Sequence, residues 1–272
     1  MNKRQTYLIN GGYEQGITPF DRGLSYGDGV FRTFKVAAGV PTDWPLHYQK
    51  LVADCGAIGI VCPSAELLMS DIQHLFKMDE TAVAKIIITR GEGERGYAPP
   101  AVTLPNRIVI RTVMPQYSEA HFNEGVALHS CKTVLAYQPL LAGVKHLNRL
   151  ENVLARAEWS DPHYVDGLMF DAEGNVIACT SANVFARFGQ ELCTPRLNRC
   201  GVAGVTRQKV LNMASSLGLT SSIKDMHLNE FLTSDEVIIT NSLYGAWQVR
   251  SFASTRWRKG QLANDMRALL SA

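Results

Sequence analysis

Two stretches of this 272-residue chain hold residue types on which chemistry could be built. The first is LLAGVKHLNRLENVLARAEW, from Leu140 to Trp159, with a single lysine, Lys145, behind a glycine and apolar neighbours. Most lysines are solvated surface charges. One that is desolvated loses part of its proton affinity, and its amine becomes a nucleophile. The second is CGVAGVTR, from Cys200 to Arg207, ahead of a helical pattern. Its glycines let backbone N–H groups approach a ligand, and a helix start favours an anion. Standing alone, the same residues read first as a glycine turn capped by Thr206. The GDG of DRGLSYGDGV is no phosphate loop, because it lacks the GxxxxGK[ST] pattern and a following helix. Cys55, Cys62, Cys131, Cys179, Cys193 and Cys200 show neither CxxC pairs nor zinc-like spacing. They read as free thiols of a reducing cytoplasm, and no metal site is expected.

The elements around these stretches must aim them. From Leu147, apolar residues recur at Leu150, Val153 (with Leu154) and Ala157, the spacing of one helical face. Lys145 is therefore expected at the joint between an irregular segment and a rigid helix. Tyr7 to Asn10, Phe31 to Val36, Val83 to Arg90 and Arg107 to Val113 read as strands, with helices over Leu46 to Ile58 and Ala65 to Phe76. DRGLSYGDGV reads as a loop. Pro115 makes Met114 to Ser118 the best linker. Beyond it, strands are expected at Val126 to Thr133 and Asn183 to Arg187, and a buried one at Glu236 to Asn241. A hairpin turns at Glu173-Gly174, joining Gly167–Asp171 to Val176–Cys179, and helices cover Thr206 to Leu217 and Gln261 to Leu270. The fold class is α/β in a mixed, α+β arrangement, since the strands do not alternate regularly with helices. The boundaries are 1–113 for an N-terminal α/β domain, 114–119 for a linker and 120–272 for a C-terminal domain. With 46% hydrophobic and 19% charged residues and a net charge of +2, the chain is an ordinary globular one with no basic footprint for nucleic acid. No apolar run approaches membrane-spanning length, and MNKRQTYLINGG has no signal-peptide core.

LAGVKHLNRLENVLARAEW resembles the segment around the Schiff-base lysine of aminodeoxychorismate lyases. These are fold-type IV pyridoxal 5'-phosphate (PLP) enzymes related to branched-chain and D-amino-acid aminotransferases. DRGLSYGDGVFRTF, TRGEGERGYAPP, GLMFDAEGNVIACTSANVF, CGVAGVTRQ and DEVIITNSLYGAW carry the same resemblance. It implies two domains of the D-amino-acid aminotransferase type with the cofactor in the cleft between them, the second domain binding PLP, and a homodimer. It also implies the activity, conversion of 4-amino-4-deoxychorismate to 4-aminobenzoate and pyruvate in folate biosynthesis.

By the same resemblance, Lys145 is both Schiff-base residue and general acid/base. Val205 (backbone), Thr206 (backbone and hydroxyl) and Ser242 hold the phosphate. Lys50 falls where aminotransferase relatives carry a phosphate-binding arginine, keeping the charge but losing the bidentate fork. Arg95 and Tyr97 fall where D-amino-acid aminotransferases place an arginine and a histidine on a substrate carboxylate. Phe31 falls on a tyrosine of their carboxylate trap and lacks its hydroxyl, which tilts the choice toward a lyase. Ala178 stands where the family has a glutamate on the pyridine nitrogen, so that proton partner is missing, and Glu173 belongs to the preceding turn. Two alternatives follow: a class IV aminotransferase for branched-chain or D-amino acids, and a catalytically impaired PLP-binding homologue. Arg32 replaces a common acidic residue without an assigned role. His146, Asn148 and Arg149 fit substrate contact and helix capping or packing equally.

Overall fold

The computed structural model describes residues 6–13 and 15–271. They form two compact units, and the chain leaves the second once to return to the first. The first unit takes the described residues to Pro115 together with Val144–Asn148, and the second takes Gln116–Gly143 and the described residues from Arg149. The segment carrying Lys145 therefore belongs with the N-terminal elements and not with the C-terminal residues around it. The reason is main-chain hydrogen bonding to Gly29 and Phe31.

The first unit is a five-stranded sheet with helices on one face. In chain order it contains β1 (Tyr7–Ile9), α1 (Arg22–Tyr26), β2 (Gly29–Ala37), β3 (Val40–Pro41), α2 (Trp44–Ala57), α3 (Ala65–Leu75), β4 (Thr81–Thr89) and β5 (Asn106–Val113). The strand order is β1-β5-β4-β2-β3, antiparallel throughout. Alternation along β2 turns Val30, Phe34 and Val36 inward onto Leu51, Cys55, Leu68 and Ile72. Burying a side chain the size of Phe34 contributes about 2–3 kcal/mol. Arg32 shares that inward face and is 3% exposed, so a charge lies among apolar side chains. Ser64 starts α3 by accepting the Leu67 N–H at 3.2 Å.

DRGLSYGDGV is not a loop: it holds α1. Asp21 caps the helix, accepting the Leu24 N–H at 3.1 Å, and also accepts from Thr89 Oγ1 at 2.6 Å and Asn106 Nδ2 at 2.8 Å. Gly27 ends it in the left-handed region at φ +65°, where a side chain would meet Asn148. One short turn between glycines gives too little periodicity to separate from a loop.

Val144–Asn148 adds an antiparallel edge to β2. Phe31 N–H donates to the Lys145 carbonyl and Leu147 N–H to the Gly29 carbonyl, both at 2.9 Å, with Val30 opposite His146. Lys145 is thus in extended chain and not at a helix joint. Val144, on the other face, is buried with Val30 and Phe34.

The second unit contains α4 (Glu119–Asn123), β6 (Val126–Ser130), α5 (Leu150–Arg156), β7 (Tyr164–Phe170), β8 (Val176–Cys179), β9 (Asn183–Phe188), β10 (Glu191–Pro195) and α6 (Val205–Met213). A 3₁₀ turn (Ala214–Leu217) leads on to β11 (Thr220–Lys224), α7 (Leu228–Leu232), β12 (Glu236–Asn241), β13 (Gly245–Phe252), β14 (Thr255–Arg256) and α8 (Leu262–Ser271). The sheet runs β11-β10-β9-β12-β13-β6-β7-β8, with β14 on β13, and mixes parallel and antiparallel pairs. One face packs Val184, Ile239, Trp247 and Phe252. The other lays Phe185, Ile238 and Ala246 under α6 and α8. The helix expected from Leu147 begins at Leu150, and its apolar stripe is not core: Leu150, Val153 and Leu154 are 74%, 59% and 60% exposed. Ala155, directly after Leu154, is its buried residue. Among the described residues no helix is long and apolar enough to cross a membrane.

Glutamates from α5 and just beyond it secure the 131–143 stretch. Glu151 accepts the Ala136 N–H at 2.9 Å. Glu158 accepts the Lys132 and Thr133 N–H groups at 2.7 and 2.8 Å and Thr133 Oγ1 at 2.6 Å. Burial works to raise the Glu158 carboxyl, but these donors outweigh it and hold the carboxyl down at about 2. Its folded-state pKa lies below the unfolded one, so its contribution is present above about pH 4.5 and fades as pH falls toward about 2. Glu158→Ala is expected to cost about 1–2 kcal/mol at neutral pH. In urea denaturation that difference should shrink between pH 4.5 and 2.5.

Candidate active site

In the first unit, Lys145 is fixed by its main chain and aimed by its register. Opposite Phe31 on one side of the β2 edge, its Nζ lies 4.5 Å from the Phe31 ring centroid, and Lys85 Nζ lies 5.0 Å from the same ring. Lys145 is half-buried. Beneath this edge sits an ionic cluster. Asp54 of α2, 1% exposed, accepts from Arg32 Nη2 and Lys50 Nζ, and its Oδ2 lies 3.4 Å from the Lys145 main-chain N. Burial pushes the Lys50 ammonium down, Asp54 opposes that shift, and Arg32 adds to it. Arg32, which the sequence left without a role, is thus the partner of Asp54.

Asn148 donates to the Gly27 carbonyl at 3.1 Å, a packing role at the end of α1. Arg22 holds the loop of Arg95 and Tyr97 by donating to the Gly96 and Tyr97 carbonyls at 3.0 and 2.9 Å. The Tyr97 ring is 86% exposed and lies 5.5 Å from that of Tyr26, and Arg95 is exposed. The described contacts of this loop run to Arg22 and Tyr26 and do not bring Arg95 or Tyr97 to Lys145.

In the second unit, Asn183, the first residue of β9, shapes the turn into α6. Its Nδ2 donates to the Val202 carbonyl at 2.8 Å, and its Oδ1 accepts the Gly204 N–H at 3.1 Å. A Cβ on Gly204 would stand 2.4 Å from that Oδ1, so the close approach needs glycine. The first turn of α6 then starts with Val205 and Thr206, whose N–H groups have no partner within the helix. Thr206 Oγ1 lies 3.2 Å from Ser242 Oγ, at the end of β12. Two hydroxyls and a helix N-terminus thus come together, as an anion requires. Arg207 adds a buried positive charge, held by Thr194 Oγ1 at 3.2 Å and the Pro195 carbonyl at 3.0 Å; desolvation lowers its pKa to about 10. The donor set fits a phosphate group.

The position that the resemblance sets at the pyridine nitrogen is apolar. Ala178 is buried with Met169, Ile177, Cys131 and Trp159, and it brings no acceptor. Glu173 is occupied at its own turn, with Arg199 Nη1 at 3.2 Å. Asp166, 3% exposed, spends its carboxylate on the 180–181 turn. It accepts from Thr180 N and Oγ1 at 2.9 and 2.5 Å and from Ser181 Oγ at 2.7 Å. Burial pushes its carboxyl above the ordinary value against those hydroxyls.

Asp54, Asn183, Asp166 and Arg22 are the residues that sequence reading missed. A carboxylate four residues after Lys50 was a visible signal. The other three act through backbone groups of distant loops, which leaves no spacing to read.

Residues 29–252 match the family described as amino-transferase class IV. The chain belongs to that family. Within it, an aminodeoxychorismate lyase of Vibrio harveyi is 36% identical over 248 residues, 91% of this chain and 92% of that protein. A solved 4-amino-4-deoxychorismate lyase of Pseudomonas aeruginosa superposes with a TM-score of 0.92 at 42% identity, covering 97% of each chain. A D-alanine aminotransferase of Bacillus licheniformis is 27% identical over 82% of this chain and 78% of its own. The mixed α/β architecture is that of the fold-type IV enzymes.

Proposed function

We propose that the protein is a PLP-dependent lyase converting 4-amino-4-deoxychorismate to 4-aminobenzoate and pyruvate. The observation that carries this reading is Lys145, pinned by its main chain to β2 with its ammonium over the Phe31 ring at 4.5 Å. A phenylalanine there has no hydroxyl to offer a substrate carboxylate, unlike the tyrosine of the D-amino-acid aminotransferases. The lyase relatives support the substrate class.

When bound, PLP supplies a sink for the electron pair released at the substrate's C4. The residues proposed to hold it are Lys145 for the aldehyde, and Val205, Thr206 and Ser242 for the phosphate, with Lys50 adding positive charge. Lys145 takes the C4 proton with its amine. The electron pair then leaves with the enolpyruvyl oxygen as that C–O bond breaks, the released enol takes up a proton on carbon to become pyruvate, and the carbocyclic ring becomes aromatic, so the substrate itself provides driving force. That is why a lyase tolerates Ala178, where a transaminase has no such help. Arg95 and Tyr97 are proposed to reach the substrate from the loop that Arg22 holds. The exposed α5 stripe of Leu150, Val153 and Leu154 supports a homodimer, and six free thiols support a cytoplasmic location.

Purified protein given aminodeoxychorismate and PLP should produce aminobenzoate fluorescence, and Lys145→Ala should lower the rate by at least about 10³-fold. A keto-acid-dependent amino transfer in its place would identify an aminotransferase. Sedimentation should give twice the chain mass, and a monomer at micromolar concentration would remove the dimer. In Ala178→Glu the new carboxylate is buried without a protein partner, so the coenzyme-free variant should be less stable by about 1–3 kcal/mol. PLP should then raise its thermal midpoint more than it raises that of the wild type. An equal or smaller rise would remove Ala178 from the pyridine nitrogen.

A further inference from the structure

Asp54 is the point at which three elements meet under Lys145. Its Oδ1 takes the Lys50 ammonium from one turn earlier in α2, and its Oδ2 takes the Arg32 guanidinium from β2. The same Oδ2 faces the Lys145 main-chain N at 3.4 Å. Packing of α2 on the sheet is already supplied by Leu51, Cys55, Phe34 and Val36. Buried ion pairs add little net stability over apolar side chains of like volume; what they specify is geometry. Here the specified groups are a lysine main chain and a lysine ammonium, both within one turn or one strand edge of the same carboxylate.

The charge count of the cluster points the same way. One carboxylate faces two cations, so the three side chains together carry a net positive charge. Arg32 is the more deeply buried cation, with 3% of its side chain exposed against 25% for Lys50. Lys50 is the less buried of the two cations, so the excess charge of the cluster lies nearer solvent on its side. Without Arg32, Asp54 and Lys50 would form a neutral pair.

We propose that Asp54 is a positioning residue that fixes the Lys145 main chain and the Lys50 ammonium, and that Arg32 holds Asp54 while keeping the cluster cationic toward a phosphate. This rests on the reading that Lys145 and Lys50 serve PLP, but half of its test does not. In coenzyme-free protein, amide hydrogen exchange over residues 144–148 should accelerate at least tenfold in Asp54→Asn and Arg32→Met and stay near the wild-type rate in Arg32→Lys. Exchange over β4 serves as the internal reference for folding. In titrations of the full chain, Arg32→Met should weaken PLP about tenfold while changing the affinity for unphosphorylated pyridoxal less than twofold, with Arg32→Lys restoring PLP affinity.

A purely structural ion pair would not separate the two coenzyme forms. Unchanged protection of 144–148 in variants that keep β4 protected would overturn the proposal. So would equal losses for PLP and pyridoxal. If Arg32→Met does not fold, Asp54→Asn and Arg32→Lys decide by the same exchange readout. A wild-type protein that binds neither PLP nor pyridoxal would refute the proposed function, and the exchange arm would then judge Asp54 alone.

Discussion

Two main-chain hydrogen bonds decide where the amine of Lys145 points. Phe31 N–H to the Lys145 carbonyl and Leu147 N–H to the Gly29 carbonyl set the register of Val144–Asn148 on β2. Side chains alternate across a strand, so a slip of one residue would exchange the two faces. Lys145 would enter the apolar cluster that now holds Val144, and Val144 would take the place over Phe31. The core contact of Val144 and the aim of Lys145 are one constraint. An apolar residue just before the lysine is therefore as informative as the lysine itself.

The two units handle charge by different means. The first buries full charges, with Asp54 shared by Arg32 and Lys50 inside a sheet–helix interface. The second buries charges too, among them Asp166 and Glu236, but at the start of α6 it relies mainly on dipoles. Asn183 bends the chain so that the first N–H groups of α6 and the hydroxyls of Thr206 and Ser242 converge. Arg207, the next residue of α6, is a buried charge bound to a hydroxyl and a carbonyl. Dipoles held by a rigid turn need no reorganisation when an anion arrives, which suits a tightly held phosphate better than a mobile side chain does.

Much of the architecture was legible because it is written locally. Aromatic and β-branched residues in Phe31–Val36 mark a strand on their own, and Ser64 followed by an apolar period marks a helix start. The same local logic misread two places. The period through Leu150, Val153 and Leu154 is a helical face, but periodicity reports a face and not what covers it, and these side chains are exposed. The pairing of Lys145 with β2 crosses more than a hundred residues of sequence, so no nearby spacing encodes it. β10, β11 and β13 went unread for a related reason. β10 and β11 are only five residues long, and β13, at eight, mixes Gln248, Arg250 and Ser251 among its apolar residues, so the strand identity of each comes from its neighbours in the sheet. Of the candidate site, Lys145, Thr206 and Ser242 could be proposed through resemblance, and a hydroxyl pair joins the last two. Arg32 became intelligible only with Asp54 beside it.

One amine at one sheet edge would carry the chemistry. Borohydride reduction of the protein mixed with PLP, followed by proteolysis and mass spectrometry, reads that amine directly. The expected result is a phosphopyridoxyl mass on the peptide containing Lys145, at close to one per chain, with Lys50 and Lys85 unmodified. A label on any other lysine, or none at Lys145 under saturating PLP, would contradict it.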